Sequence, residues 1–196
     1  LQKNFEVVVI NNNSLDAAPE NIKKYNFTMH TENKPGSYAS RNKGICIAKG
    51  DILAFTDSDC IPNLYWIERA VDRFNKGCDR LAGHVDIFPM GDKPNIAELY
   101  DMTFGFDQAV SAANGVSVTA NMFARKSLFT KYGKFNSSLL SGGDVEWKIR
   151  IKVTRNYFTP EESYLSYSTL PLSLFPALKK FFIYQIHGSF LDIQNS

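Results

Sequence analysis

The order of apolar patterns along the chain predicts an α/β fold with a sheet of mainly parallel strands. Two observations carry that expectation. Strand-like and helix-like segments alternate through the first part of the chain, and polar residues suited to chemistry cluster where strands end. Open α/β sheets bind ligands at the carboxyl ends of their strands, so the same order says where a site should lie.

Each element has its own reason. Phe5-Glu6-Val7-Val8-Val9-Ile10 is short and β-branched, is closed by Asn11-Asn12-Asn13-Ser14, and predicts a buried parallel strand. The polar stretch containing Pro19 predicts irregular structure. Between Gly36 and Gly50, Ala39, Ile45 and Ala48 fall near one helical face and Gly50 supplies a stop, which predicts a helix of about three turns. Residues 51–56 predict the next strand, whose carboxyl end delivers Asp57 and Asp59. Pro62 suits the first turn of a following helix. That helix carries the stripe Ile67, Ala70, Val71 and Phe74 and ends near Gly77.

Further along, residues 81–88 predict a strand and residues 95–102 a helix. Residues 115–124 predict a strand with Val116, Val118 and Ala120 alternating, and residues 126–132 a short helix closed by Gly133. Val145, Trp147, Ile149 and Ile151 alternate as in a strand. Yet Val145, Ile149 and Val153 share a helical face, as do Trp147 and Ile151, so period leaves both assignments open. The apolar tail from Leu170 to Phe190 fits either a helix pair covering the core or an amphipathic surface resting on a membrane.

Bulk properties narrow the function. The chain has 196 residues, 44% hydrophobic and 21% charged, an ordinary globular balance. A formal net charge of +2 argues against nucleic acid as the partner. No run of eighteen apolar residues exists to span a bilayer, and residues 1–10 do not resemble a signal peptide. Cys46, Cys60 and Cys78 form neither a disulfide framework nor a CxxC metal site, which suits a reducing compartment. GxGxxG, GxxxxGK[ST] and GxSxG motifs are absent, so simple nucleotide-cofactor and serine-hydrolase readings lose their usual support.

The chemistry concentrates in two places. Asp57-Ser58-Asp59 brings two carboxylates close enough to repel unless a cation or donors lie between them. A hard divalent metal, Mg²⁺ or Mn²⁺, would satisfy both while reaching substrate phosphates. The plainer alternative is a solvated turn in which Asp59 caps the next helix. Asp144 follows Ser141-Gly142-Gly143, an approach flexible enough to set a side chain against a ligand, and is also an ordinary cap. Arg41 and Lys43 could face phosphate or simply be solvated. His30, His84 and His187 occupy no metal-ligand spacing.

Three stretches together resemble a known family. "FEVVVINNNSLD" is similar to the second-strand motif of family-2 inverting glycosyltransferases with the GT-A fold. "GSYASRNKGICIAKGDILAFTDSDCIP" resembles their Ala-Arg-Asn helix and DxD strand. "VTANMFARKSLFTKYGKFNSSLLSGGDVEW" resembles their acceptor-side segment. The likeness covers most of residues 4–151 and weakens toward 190.

The resemblance implies a GT-A, Rossmann-like mixed sheet flanked by helices, with the family's first strand preceding Leu1. Residues 1–160 would be the transferase domain: a nucleotide-sugar half to about 90, then an acceptor half. Residues 161–196 would be a helical extension. It also implies an inverting transfer from a nucleotide-sugar donor to a saccharide, lipid-linked or other hydroxyl acceptor. Asp59, helped by Asp57, would hold Mn²⁺ or Mg²⁺ against the donor diphosphate. Arg41 and Ser58 would lie near the nucleotide, and Asn11, Asn12, Asn13 and Ser14 would border base and ribose. Asp144 would be the general base, with Glu146 and Trp147 seating the acceptor; Trp147 suits a core position equally well. A cytoplasmic enzyme is expected, peripheral on the inner membrane face if the tail rests there. Asn11 stands where the family has Asp, and Ser168 where it has a metal-side histidine. The segment 152–160 is shorter than usual. A sugar- or nucleotide-binding module without turnover, a nucleotidyltransferase and a glycosidase using Asp59 and Asp144 are the competing readings.

Overall fold

The computed structural model describes residues 5–14, 18–25, 27–89, 91–105, 108–151, 156–159 and 165–168. The elements run β1 (Val8–Asn11), α1 (Ala18–Ile22), β2 (Thr28–Thr31), α2 (Ser37–Ile47), β3 (Ile52–Thr56), β4 (Cys60–Pro62), α3 (Trp66–Asn75), β5 (Arg80–Gly83) and β6 (Val85–Phe88). They continue with α4 (Ile96–Tyr100), a π-helical turn (Asp101–Gly105), α5 (Gln108–Ala113), β7 (Asn121–Arg125), α6 (Lys126–Tyr132), α7 (Gly143–Arg150), β8 (Asn156–Thr159) and β9 (Leu165–Ser168). The chain divides into two compact units, Leu1–Leu53 with Arg125–Ile151, and Ala54–Ala124 with Lys152–Ser196.

In the first unit, β1 and β2 form a parallel two-stranded sheet, Val8 opposite Thr28 and Asn11 opposite Thr31. Its core is aromatic. Phe129 of α6 stacks on Trp147 of α7 with centroids 4.4 Å apart, and Phe135 packs on Trp147, Phe129 and Tyr38 at 5.3, 5.5 and 5.6 Å. Trp147 is 1% exposed, and its indole N–H donates to the Gly133 carbonyl at 2.8 Å, so the ring is buried without leaving a donor unpaired.

The second unit holds two sheets, β3-β7-β5-β8 and β4-β9-β6. Strand β5 is parallel to β8 and antiparallel to β7, giving the mixed sheet the resemblance implies. Trp66 of α3 lies on Phe123 with centroids 4.7 Å apart and donates to Asn121 Oδ1 at 2.9 Å. Asn121, 0% exposed, in turn donates to the His84 carbonyl at 2.8 Å. The buried Arg80 donates to the Gly115 carbonyl at 2.7 Å, and burial pulls its guanidinium down to about 10, still protonated at neutral pH.

Several local expectations need correction. Residues 81–88 are two strands in different sheets, parted at His84. Gly83 lets the Asn121 side chain approach the backbone there: a Cβ at Gly83 would lie 2.2 Å from Asn121 Nδ2. Pro62 ends β4, an edge strand, where a missing N–H costs nothing. The helix starts later, at Trp66, after Asn63 closes a turn through Tyr65 N and Trp66 N. Its buried face is Trp66, Ala70 and Phe74, while Ile67 is half-buried and Val71 exposed.

Residues 116–120 are not strand. Ser117 and Thr119 are buried as well as Val116 and Ala120, and a turn from Asn121 N to Val118 O precedes β7. Residues 18–22 form a short helix, and β2 occupies a stretch expected to be irregular. Strand β1 is half-buried rather than buried, with Phe5 and Val7 exposed, since among the described residues it pairs with β2 alone. Residues 143–150 settle as helix, supported by the Glu146–Arg150 ion pair one turn apart. Within the stretch expected as a helical extension, residues 165–168 form β9. The tail 170–190, most of 152–160 and anything before Leu1 lie outside the described residues. Among the described residues, no helix is long and apolar enough to cross a membrane.

Candidate functional site

The expected donor-side loop is tied to itself. Asn12 Nδ2 donates to the carbonyls of Glu32 and Lys34 at 2.6 and 2.8 Å, and its Oδ1 accepts from Gly36 N at 2.9 Å. Asn13, at φ 58, donates to Asn33 O at 3.1 Å, and Asn11 Oδ1 accepts from Ser14 N at 3.0 Å. An asparagine tolerates such left-handed and turn geometries because its side chain replaces backbone partners. These amides therefore shape the loop after β1 and lock it to the segment before α2.

Helix α2 carries Tyr38, Arg41 and Asn42. The Arg41 guanidinium lies 5.4 Å from the Tyr38 ring centroid, a cation–π distance. Asn42 grips the Phe135 backbone from both sides, donating to its carbonyl at 2.8 Å and accepting from its N–H at 3.0 Å. The Tyr38 hydroxyl accepts from Gly143 N at 2.9 Å, at the start of α7. Asp144 follows in the first turn, 8% exposed. Glu146, expected to seat an acceptor, pairs with Arg150 at 2.6 Å, and Arg150 also donates to the carbonyls of Tyr132 and Lys134. Trp147 takes the core alternative of its two readings: its faces are covered by Phe129 and Phe135.

A hollow of about 200 Å³ opens beside α2, lined in part by Lys34, Asn42, Lys43, Cys46 and Lys134. Lys34 donates to Ser137 Oγ and Lys134 to Cys46 Sγ, both at 2.7 Å. Neither Arg41 nor Asp144 lines it.

The acidic turn belongs to the second unit. After β3 the chain turns, Cys60 N donating to Asp57 O at 3.2 Å, so the strand alternation does not run on through Asp57 and Asp59. Asp57 is half-buried; Ser58 and Asp59 are exposed. Burial, and then the charges of Asp57 and Asp59, push the Cys60 thiol up to about 11 against the pull of its hydrogen bonds. At neutral pH it is a thiol. Among the described residues no three His, Cys, Asp or Glu side chains gather to hold a metal. Two carboxylates with a protonated cysteine still fit a hard divalent cation that takes its remaining oxygens from water and substrate phosphate. Ser168 lies in β9 opposite Phe88.

The chain matches the family model for glycosyl transferase family 2 over residues 1–133. It belongs to that family. This family 2 chain is 35% identical over 156 residues to the glycosyltransferase AglE of Haloferax volcanii, covering 74% of this chain and 50% of AglE. It is 41% identical over 71 residues to the putative glycosyltransferase EpsH of Bacillus subtilis, covering 33% of this chain and 19% of EpsH. It thus spans half or less of the curated relatives it matches. Among solved structures it resembles S. aureus TarS 1-349 in complex with UDP, with TM-score 0.63 and 17% identity over 90% of this chain and 54% of that one. It also resembles GalNAc-T7 with UDP, GalNAc and Mn²⁺, with TM-score 0.64 and 16% identity over 84% of this chain and 38% of that one. The fold is GT-A. The family match includes Arg41 and the Asp57–Asp59 turn and ends before Asp144.

Proposed function

We propose that the protein transfers a sugar from a nucleotide-diphosphate donor to an acceptor hydroxyl with inversion, and that Asp144 is the general base. The observation that carries this reading is family membership across a segment that includes the acidic turn after β3. UDP in the TarS complex and UDP with Mn²⁺ in GalNAc-T7 support a nucleotide donor and a divalent cation.

Asp57 and Asp59 would hold the cation. When bound, it offsets charge on the departing diphosphate. The acceptor oxygen attacks the anomeric carbon and forms the new C–O bond. The bond from that carbon to the diphosphate oxygen breaks, and its electron pair leaves with the nucleoside diphosphate. The acceptor proton passes to Asp144, whose carboxylate accepts it during attack. One displacement from the opposite face inverts the centre. Arg41 would face the negative donor; its guanidinium lies 5.4 Å from the Tyr38 ring centroid.

A panel of nucleotide sugars with and without Mn²⁺, read by thermal shift and by product formation, tests this. Donor-dependent stabilisation that needs Mn²⁺, and that Asp59→Ala abolishes, supports the acidic turn as the metal site. Donor affinity unaffected by Mn²⁺ or by that substitution overturns it. Donor binding without any transfer would instead describe a binding module.

A further inference from the structure

Helix α7 begins with an unusual problem. Its N-cap is Gly142, at φ 70, which has no side chain to satisfy the free N–H groups of the first turn. The partner for one of them comes from 105 residues away, the Tyr38 hydroxyl at 2.9 Å from Gly143 N. We infer that Tyr38 is a positioning residue for Asp144, fixing the turn that carries the proposed base. The inference rests on the transferase reading above.

Two further contacts make the placement specific. A Cβ on Gly143 would lie 2.6 to 2.8 Å from Tyr38 Cζ, Cε2 and Cε1, closer than any real contact, so the ring edge occupies the space where another residue would have a side chain. The backbone just before Asp144 is thereby pressed against a buried ring and hydrogen-bonded to its hydroxyl. Lower down, Asn42 of the same helix holds Phe135, which packs on Trp147 of α7. Helix α2 thus meets α7 at its first turn through Tyr38 and one turn later through Phe135. Two separated anchors set the direction of a short helix where one would leave it free to pivot. Arg41 lies over the same tyrosine ring, so a single side chain orients one proposed donor contact and the proposed base.

Tyr38→Phe separates the two functions, since it keeps the ring under Arg41 and Gly143 but removes the acceptor of the Gly143 N–H. In the full protein, turnover per folded molecule should fall about tenfold, because small misplacements of reacting groups are costly. Donor affinity should stay within about twofold. In an Asp144→Asn background the same change should cost nothing more, since residues acting as a unit are not additive. Gly143→Ala, which pushes a methyl into the ring, should reproduce the turnover loss and serves if Tyr38→Phe folds poorly.

Turnover within about twofold of the parent in both variants would overturn the inference. So would an undiminished tenfold loss in the Asp144→Asn background, which would mark a general structural defect. No transfer by the unsubstituted protein, or full turnover in Asp144→Asn, would instead remove the reading on which the inference rests.

Discussion

The two acidic sites are held in opposite ways. Asp144 sits on a helix whose first turn is bonded to Tyr38, whose ring Trp147 is walled by Phe129 and Phe135, and whose Arg150 ties back to the carbonyls of Tyr132 and Lys134. Asp57 and Asp59 sit on a short turn where Cys60 N and Thr56 Oγ1 donate to the Asp57 carbonyl and Cys60 Sγ to Asp59 Oδ1, with Asp59 exposed. On the roles proposed for them, the difference would match two kinds of task. A base must meet one proton at one place, which rewards rigid support. A pair of carboxylates around a cation would be oriented in part by the charge of the cation itself.

The largest effect that bears on this contrast is Asp144→Asn. It should lower turnover by about two to four decades while sparing donor affinity, the usual scale for loss of a general base; steady-state kinetics beside a donor titration will show it. On the acidic turn, the thiol held up to about 11 leaves Cys60 with far less thiolate at pH 8 than an ordinary cysteine. Mass spectrometry should find it alkylated by iodoacetamide about a hundredfold more slowly, with the rate rising steeply toward pH 11. A Cys60 that labels like a free thiol would mean the turn is open to solvent.

Stability comes next. Asn42→Ala removes both hydrogen bonds to the Phe135 backbone and should cost about 2 kcal/mol, lowering Tm by about 4–8 °C. Asp59→Ala, at an exposed position of the acidic turn, should change stability by less than about 0.5 kcal/mol without metal. Equal losses in the two variants would erase the contrast between the regions.

Much of the framework was legible in the residues themselves. The strand before Asp57, the helix from Ser37 and the helix from Lys126 follow directly from apolar spacing and glycine stops. What escaped was set by contacts distant in sequence. At the break between β5 and β6 the His84 carbonyl is taken by Asn121, and the β-like alternation of Val145 to Ile151 is overruled by Trp147 entering an aromatic core built from Phe129 and Phe135. At the site, Asp57, Asp59, Arg41 and Asp144 were chosen by residue type and by likeness to a family. Tyr38 and Asn42 were not, although Asn42 stands beside Arg41, because nothing local reveals that one meets Gly143 and the other Phe135.

Each unit contains one of the chain's two tryptophans, Trp147 in the first and Trp66 in the second, and each indole N–H has a named acceptor. Every unit thus carries its own built-in fluorophore. With Trp147→Phe or Trp66→Phe, the emission that remains reports on a single unit, so the loosening of the unit that carries Asp144 and of the unit with the acidic turn can be followed separately.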